Sequence, residues 1–288
     1  MFGLLNINKP AGMTSRDVVN HVQRLVRPAK VGHAGTLDPL ATGVLVVCIG
    51  PATRLIEYVQ RQPKQYTGSF LLGRKSDTED VEGQVLEIQN AKHPSREEIT
   101  AAVPRFLGSI SQRPPVYSAL KIDGRRAYKL AREGAKVELQ PRSVMIYDLE
   151  IVDYAYPELC LQVRCGSGTY LRSLGRDLAE AVGTQAVMSG LRRTAVGNFR
   201  VEDSCDLQAL TQESCEEYLI SPLRAVQELP RLEVGDEETA ALRQGRFIAN
   251  STNLEQGEIA ACNTAGTLVA ILTPRAASQL KPVKNFIA

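Results

Sequence analysis

The sequence lacks the patterns that mark membrane proteins and nucleotide-cofactor enzymes. No apolar run approaches the roughly 20 residues that a membrane-spanning helix needs. The N-terminal stretch has no basic segment followed by a long apolar one, so we expect no signal peptide. Neither a GxGxxG nor a GxxxxGK[ST] motif is present, which argues against a nucleotide cofactor.

Recognisable metal-binding patterns are missing as well. The six cysteines form no CxxC pair, and the three histidines, His21, His33 and His93, are scattered. This spacing predicts no zinc site and favours free thiols, as expected of a cytoplasmic protein. We therefore expect no metal and no cofactor.

What is present is the composition of an ordinary globular protein. Hydrophobic residues make up 43% and charged residues 23% of 288 residues, enough for one large domain or for a large domain with a small one. Near residue 228 the sequence pattern changes to short apolar segments separated by turns that contain Gly and Asn. We therefore predict a large domain over residues 1–228 and a small, mostly β domain over residues 229–288.

Charge is segregated along the chain although the net charge is only +2. Residues 1–64 carry eight Lys or Arg against three acids, and residues 105–142 carry nine against three. Acids without bases fill residues 77–87 and 202–217. This distribution suits one basic face for a polyanion, although uneven exposed charge is the simpler alternative.

One stretch, residues 32–50, combines a core strand with an unusual loop. The apolar run at residues 44–49 lies between Gly43 and Gly50, as in a strand buried on both faces. The loop before it holds one carboxylate, Asp38, followed by Pro39. A rigid loop that leads into a core strand suits a reactive side chain, whereas Asp-Pro is also ordinary turn chemistry.

Periodicity predicts the main elements around this stretch. Thr14 and Asp17 have the spacing of a helix capping box, and residues 64–72 alternate as a strand with one buried face. Thr169 is a candidate cap for a helix that carries apolar residues on one face. The other predicted elements are helices at 53–59 and 95–106, a hairpin at 143–154 and 158–165, and a strand at 191–199.

A second unusual stretch, residues 113–142, is basic and contains Tyr117 and Tyr128. Phosphates attract Lys and Arg, and unstacked bases stack on aromatic planes, so the stretch suits contact with RNA. A solvated amphipathic helix with ordinary tyrosines is the alternative.

The sequence Gly-His-Ala-Gly-Thr-Leu-Asp-Pro-Leu-Ala-Thr-Gly-Val-Leu at residues 32–45 closely resembles the signature of the TruB family of tRNA pseudouridine synthases, in the bacterial type. The resemblance extends over nearly the whole chain. The other motifs that carry it are residues 4–15, Lys-Gln-Tyr-Thr at 64–67, the acidic loop at 76–83, residues 114–124 and 128–134, Gly-Thr-Tyr-Leu-Arg at 168–172, and Leu-Arg-Arg at 191–193.

The resemblance implies a fold and an activity. The fold is α+β, a mixed and mainly antiparallel sheet flanked by helices. An RNA-gripping insertion lies at about 105–142, and a small β-rich, PUA-like RNA-binding domain lies at the C-terminus. The activity is the isomerisation of uridine 55 in the T loop of tRNA, without a cofactor, an obligate protein partner or a membrane, by a cytoplasmic protein that works as a monomer.

The resemblance also implies the site residues. Asp38 is the catalytic residue, by attack on C1′, addition to C6 or removal of a sugar proton. Arg172 pairs with it, and Tyr66 stacks on the target base and relays a proton. The implied substrate contacts are His33 in the loop vacated by the flipped uridine, Tyr170 and Leu191 in the pocket, and Lys9, Asp80, Lys121 and Arg132 along the RNA.

Two other hypotheses accompany this one. The chain is alternatively an RNA-binding or RNA-folding protein in which chemistry is incidental, or a guide-RNA-dependent synthase that works inside a complex. The presence of Asp38, Tyr66, Tyr170 and Arg172 argues against the first. The insertion argues against the second, because it resembles the form that grips its RNA unaided.

Overall fold

The computed structural model describes residues 1–118, 120–122, 124–127, 130, 133, 139–252, 254–276 and 278–287. Within these ranges no helix has both the length and the hydropathy that a membrane crossing requires.

The described part of the chain contains a large mixed sheet, a smaller C-terminal sheet and helices packed on them. The α-helices are α1 (Ser15–Leu25), α2 (Ile56–Arg61), α3 (Arg96–Ala102), α4 (Leu171–Ala181) and α5 (Asp236–Arg243). The strands up to the end of the large sheet are β1 (Gly3–Lys9), β2 (Val31–His33), β3 (Thr42–Ile49), β4 (Lys64–Leu72), β5 (Arg74–Lys75), β6 (Leu86–Glu87), β7 (Gly108–Gln112), β8 (Lys121–Ile122), β9 (Arg125–Arg126), β10 (Arg142–Ala155), β11 (Glu158–Cys165), β12 (Ala186–Val196), β13 (Phe199–Arg200) and β14 (Cys205–Asp206). The later strands are β15 (Arg231–Val234), β16 (Ile248–Ala249), β17 (Ile259–Asn263), β18 (Leu268–Ala276) and β19 (Gln279–Asn285).

The large sheet has the order β14-β1-β3-β12-β4-β11-β10-β7, with β13 beside β12 and β2 beside β3. Most neighbours are antiparallel, while β12 runs parallel to β3 and β14 runs parallel to β1. The parallel β12–β3 pair places Gly43 opposite Arg193. This topology confirms the predicted mixed, mainly antiparallel α+β fold, and it brings β12 beside the strand that follows Asp38.

Local sequence accounts for most of these elements. Thr14 caps α1 through a capping box with Asp17, and β4 spans the predicted residues with alternating burial. Two predictions were wrong in detail. The strand predicted at 191–199 is β12, which begins at Ala186 and ends at Val196, because pairing with β4 extends it. Thr169 does not cap α4. Its hydroxyl bonds the Gly166 carbonyl oxygen (3.1 Å), and Tyr170 is the N-cap.

Helix α4 packs against β4 and leaves no room for a side chain at Gly175. A Cβ atom at Gly175 would lie 2.1 Å from Cε1 of Phe70, whose ring is buried in the core. The absence of a side chain therefore sets how closely α4 approaches the sheet, and α4 begins at the two residues that face the site.

We expect the substitution Gly175→Ala to lower the free energy of unfolding by about 1–3 kcal/mol, because the Phe70 ring must leave its position. This is the net loss, so the steric cost itself is larger by the roughly 1 kcal/mol that alanine contributes to a helix relative to glycine. Urea denaturation followed by circular dichroism measures it. Gly190→Ala is the control, since its Cβ would meet nothing nearer than Ser69 at 3.8 Å. Equal stability of the two variants would contradict the packing argument.

The C-terminal sheet has the order β15-β17-β18-β19-β16 and packs on the large sheet. Phe286 stacks on Phe2 with ring centroids 5.5 Å apart, and the Tyr58 hydroxyl donates to Glu258 at 2.8 Å. Buried residues of β17 and β18 share one apolar cluster with β1 and β3. The predicted β-rich C-terminal unit is thus present, whereas the boundary at residue 228 stays a prediction because the two units share this core.

Candidate active site

The loop that carries Asp38 joins β2 to β3 and is held by backbone contacts. The Pro39 carbonyl oxygen accepts from the Gly12 amide at 2.9 Å. The Ser15 hydroxyl oxygen accepts from the Leu37 amide at 2.8 Å. Since both partners belong to the β1–α1 region, the start of the chain fixes the loop from one side.

Lys9 holds the same loop from inside the protein. It is fully buried, and its ammonium donates to the carbonyl oxygens of Pro10 (2.8 Å), Met13 (2.6 Å) and Pro39 (3.2 Å). Burial lowers the pKa of Lys9 to about 8, partly offset by nearby acids. The expected contact between Lys9 and RNA is therefore replaced by a structural role, because all three ammonium protons have backbone acceptors.

If the chain catalyses the isomerisation that the resemblance implies, we expect Lys9→Met to slow it about 10²-fold at saturating RNA, because the Pro39 carbonyl loses its donor and Asp38 shifts. RNA affinity should change little, since Lys9 has no exposed surface. Single-turnover kinetics and a binding titration separate the two quantities. A loss of affinity and of its salt dependence, with an unchanged rate at saturation, would return Lys9 to the RNA interface.

Arg172, the second residue of α4, lies at the centre of the site and is only 5% exposed. Its Nε atom lies 3.1 Å from Oδ2 of Asp38, and its Nη1 atom lies 3.3 Å from Oδ2 of Asp80. It also donates to the carbonyl oxygens of Thr78 (2.8 Å) and Tyr117 (3.0 Å). One guanidinium thus joins the Asp38 loop, the acidic loop and the insertion, and the Asp38–Arg172 pair is present as expected.

Asp80 is buried beneath this arginine instead of facing solvent. Its carboxylate accepts from the Thr78 hydroxyl at 2.6 Å and from the Glu82 amide at 3.1 Å, in addition to its ion pair with Arg172. The expected hydrogen bond from Asp80 to RNA does not fit this burial. The carboxylate instead orients Arg172, and the acidic loop packs against α4.

A second ion pair, between Glu79 of the acidic loop and Arg176 of α4, supports the same arrangement. Glu79 has a backbone φ of 62°, and its carboxylate pairs with Arg176 and accepts from the Ser173 hydroxyl at 3.1 Å. Arg176 also donates to the Arg113 carbonyl oxygen at 3.0 Å. Helix α4 therefore holds both the acidic loop and the beginning of the insertion.

The electrostatics of Asp38 result from opposing effects. Burial raises the pKa of the Asp38 carboxyl above its ordinary value, and the nearby Asp80 raises it further. The Arg172 guanidinium acts in the opposite direction by its charge and its hydrogen bond. The ionised form of Asp38 therefore depends on the charge and the hydrogen bond of Arg172.

A cavity of about 360 Å³ opens beside the Asp38–Arg172 pair, within the size range of small-ligand sites. Tyr66, Tyr170 and Leu191 line it, as expected from the sequence. Burial raises the pKa of Tyr66, so its hydroxyl is a neutral donor at neutral pH. Asp38 is thereby placed next to a compartment with aromatic and aliphatic walls that suits a flat, apolar-faced ring.

Besides Arg172, the cavity is lined by three cations that the sequence did not single out, Arg142, Arg193 and Lys64. Arg193 is 1% exposed and donates to the carbonyl oxygens of Val44 (2.7 Å) and Gly35 (3.1 Å), which ties β12 to the Asp38 loop. Lys64, the first residue of β4, is 7% exposed. Both belong to motifs that carry the family resemblance, which was the available signal, but their positions depend on strand pairing.

The remaining predicted contacts lie away from the cavity or outside the described residues. His33 is half-buried on β2 opposite Val47. It is not among the described residues that line the cavity. Lys121 lies in β8. Arg132 lies outside the described residues. In the described part of the chain, no group of three or more His, Cys, Asp or Glu side chains is arranged to hold a metal ion.

Comparison with known proteins identifies the class. The family model described as TruB family pseudouridylate synthase, N-terminal domain, matches residues 23–171. The model for the tRNA pseudouridylate synthase B C-terminal domain matches residues 172–229. The fold is therefore that of a pseudouridylate synthase, an isomerase. The chain belongs to the TruB family.

Individual relatives and solved structures agree with this assignment. A Dehalococcoides mccartyi protein named tRNA pseudouridine synthase B is 39% identical over 100% of this chain and 97% of its own length. One with the same name from Acaryochloris marina is 45% identical over 74% of each chain. A chain in the crystal structure of a Cbf5-Nop10-Gar1 complex has a TM-score of 0.73 at 26% identity, covering 94% of this chain and 78% of that one.

Proposed function

We propose that this protein isomerises uridine 55 in the T loop of tRNAs to pseudouridine. The observation that carries the proposal is the Asp38 carboxylate, held 3.1 Å from Arg172 beside a cavity lined by Tyr66, Tyr170 and Leu191. The names of the full-length relatives, tRNA pseudouridine synthase B, support tRNA as the substrate.

The reaction breaks the N1–C1′ bond of the uridine, turns the base and joins C5 to C1′. Attack on C1′, addition to C6 and removal of a sugar proton all begin with an ionised Asp38. Arg172 keeps the carboxylate ionised and aimed. The base lies against Tyr66, and the neutral Tyr66 hydroxyl takes part in passing on the C5 proton, while Leu191 and Tyr170 complete the pocket.

A uridine inside a folded loop must be flipped out to enter this cavity, at a cost of a few kcal/mol. We propose that the T stem-loop is gripped by the insertion at about 105–142, with Lys121 and Arg132 on its backbone, and that His33 occupies the space the uridine leaves. Residues 1–228 then form the catalytic domain and residues 229–288 a PUA-like RNA-binding domain. The enzyme acts as a cytoplasmic monomer without an obligate protein partner.

A guide-RNA-dependent role is less well supported. The Cbf5 chain of a three-protein complex is 26% identical to this chain, whereas relatives named tRNA pseudouridine synthase B are about 40% identical over nearly their full length. The greater identity favours a protein that acts on tRNA by itself.

Tritium release from a tRNA transcript labelled at C5 of uridine tests the proposal, since attachment through C5 frees that atom. We expect rapid release that stops when the T-loop uridine at position 55 is replaced by cytidine. Unchanged release from that transcript would move the target to another uridine, and tight binding with no release would leave an RNA-binding protein without this activity.

A further inference from the structure

The end of the cavity near Ser167 holds a cluster of cations that the proposed reaction does not use. The loop at residues 166–169 lies between β11 and α4, and it is contacted by Lys64 at Ser167 and by Arg142 at Gly168. All of these residues line the same cavity as Asp38.

Lys64 is built into this end of the cavity. It precedes Tyr66 by two residues on β4, so both side chains lie on one face of the sheet. It is 7% exposed, and its ammonium donates to the Ser167 hydroxyl at 2.9 Å and to the Gln60 carbonyl oxygen. An ammonium has three protons, and the described residues accept two of them, which leaves one for a ligand.

Arg142 flanks the loop from β10. Its guanidinium lies over the Tyr170 ring, 4.8 Å from the centroid, and donates to the Gly168 carbonyl oxygen. Its Nε atom is buried and has no acceptor among the described residues. A buried donor without an acceptor costs free energy, so an acceptor supplied by a ligand would relieve that cost.

The charge balance of the cavity calls for an anion. Four cations, Lys64, Arg142, Arg172 and Arg193, line it, whereas Asp38 is the one acid among the described lining residues. Arg172 is neutralised by Asp38 and Asp80, and Arg193 is bound to backbone carbonyls. Lys64 and Arg142 therefore remain without a carboxylate partner in the cavity.

We propose that Lys64 and Arg142, with the loop at 166–169, bind a phosphodiester phosphate adjacent to the flipped target nucleotide. This rests on the proposed function for the identity of the nucleotide. A nucleotide whose base lies against Tyr66 carries a phosphate on either side of its ribose. Holding one of them fixes the ribose in front of Asp38, so the two residues position the substrate strand.

A double-mutant cycle between protein and RNA tests this contact. The RNA is a T stem-loop with one uncharged methylphosphonate linkage, placed immediately 5′ or 3′ of the target uridine. Lys64→Met should weaken binding of unmodified RNA about 10- to 100-fold, as expected for a charge-assisted hydrogen bond. The slope of log K against log[salt] should also become less steep by about 0.7, the value expected for the loss of one phosphate contact on a single strand. At one of the two positions, the methylphosphonate should weaken RNA binding by the protein with Lys64 to a similar extent, and it should leave RNA binding by Lys64→Met unchanged.

Controls separate this role from others. Lys92→Met removes an exposed lysine paired with Glu98 and should show no coupling to either linkage. If Lys64→Met does not fold, Arg142→Gln provides the same cycle. Additive losses at both linkages would overturn the proposal. A contact between Lys64 and the base would overturn it as well. In that case the loss of affinity caused by Lys64→Met would persist on both methylphosphonate RNAs and would disappear on an RNA with an altered target base.

Proton linkage gives an independent readout. Burial lowers the pKa of Lys64 to about 8, so above that pH the free protein holds it partly neutral, and an anion raises the pKa again. Calorimetry at alkaline pH in two buffers of different ionisation enthalpy should show proton uptake on RNA binding by wild type and not by Lys64→Arg, which stays charged.

All affinities, with Lys64 intact or replaced, are measured in the Asp38→Asn background, where the reaction is at least about 10⁴-fold slower. Coupling at a phosphate without tritium release from the wild type would retain the phosphate site and reject the proposed reaction. Tritium release without coupling would support the proposed reaction and reject the phosphate site.

Discussion

The Asp38→Asn protein should release tritium from C5-labelled tRNA at least about 10⁴-fold more slowly than wild type while binding the RNA with similar affinity. The amide has almost the same shape as the carboxylate and still accepts a hydrogen bond from Arg172. It carries no negative charge, however, and is neither a nucleophile nor a base toward the ribose or the uracil ring. The measurement is a single-turnover rate at saturating enzyme, accompanied by a binding titration.

Asp80→Asn is the matched control, because Asp80 is the other carboxylate on the same guanidinium. We expect a much smaller loss of rate, since Asp80 acts by orienting Arg172. If Asp38→Asn retained activity and Asp80→Asn lost it, the catalytic carboxylate would be Asp80.

The second large effect concerns Arg172. Arg172→Met should lower the rate about 10²–10³-fold and the free energy of unfolding by about 3–5 kcal/mol. The substitution leaves the buried Asp80 without its cation and removes the group that opposes the raised pKa of Asp38. It also frees the carbonyl oxygens of Thr78 and Tyr117. Urea denaturation and tritium release measure the two losses.

The pH dependence of this variant has a defined sign. A carboxyl with a raised folded-state pKa is most favourable to folding when protonated, and that contribution disappears as pH rises through the folded pKa. The stability deficit of Arg172→Met should therefore shrink as pH falls from 7 toward 4. The acid limb of its activity should move to higher pH than in wild type, because Asp38 becomes easier to protonate.

A second substitution separates charge from geometry. Arg172→Met combined with Asp80→Asn should recover part of the lost stability, because the uncompensated buried charge is gone, and should leave the rate low. Full recovery of the rate would show that Arg172 serves only to neutralise Asp80. A pH-independent deficit would show that its hydrogen bonds to carbonyl oxygens dominate.

Much of the fold follows from short-range patterns. The capping box at Thr14, the alternation of β4 and the apolar run of β3 each depend on residues near one another in the chain. The helix predicted at 95–106 is α3, capped by Ser95, and a 3₁₀ turn at Val103–Phe106. Such patterns are legible because hydrophobic period and capping are properties of a few consecutive residues.

The residues of the candidate site could be predicted from the sequence to the extent that they lie in recognisable motifs. Asp38, Tyr66, Tyr170, Arg172 and Leu191 were all expected there, and all of them line one cavity. Lys9 and Asp80 were expected to contact RNA but are buried. No local pattern distinguishes a solvated lysine or aspartate from one whose charge is satisfied by distant carbonyls or by an arginine.

By itself, then, the sequence determined the family, the main strands and helices and the carboxylate with its arginine partner. Only the tertiary structure decided which charges are buried, that Arg193 and Lys64 line the cavity, and that Arg172 joins three separate segments. The physical reason is that these properties depend on pairing between residues far apart in the chain. β12 lies parallel to β3 and antiparallel to β4, and α4 lies against a loop more than 90 positions away from it in sequence. A one-dimensional pattern encodes the period of each element, whereas the partner of a buried charge is set by where the elements meet.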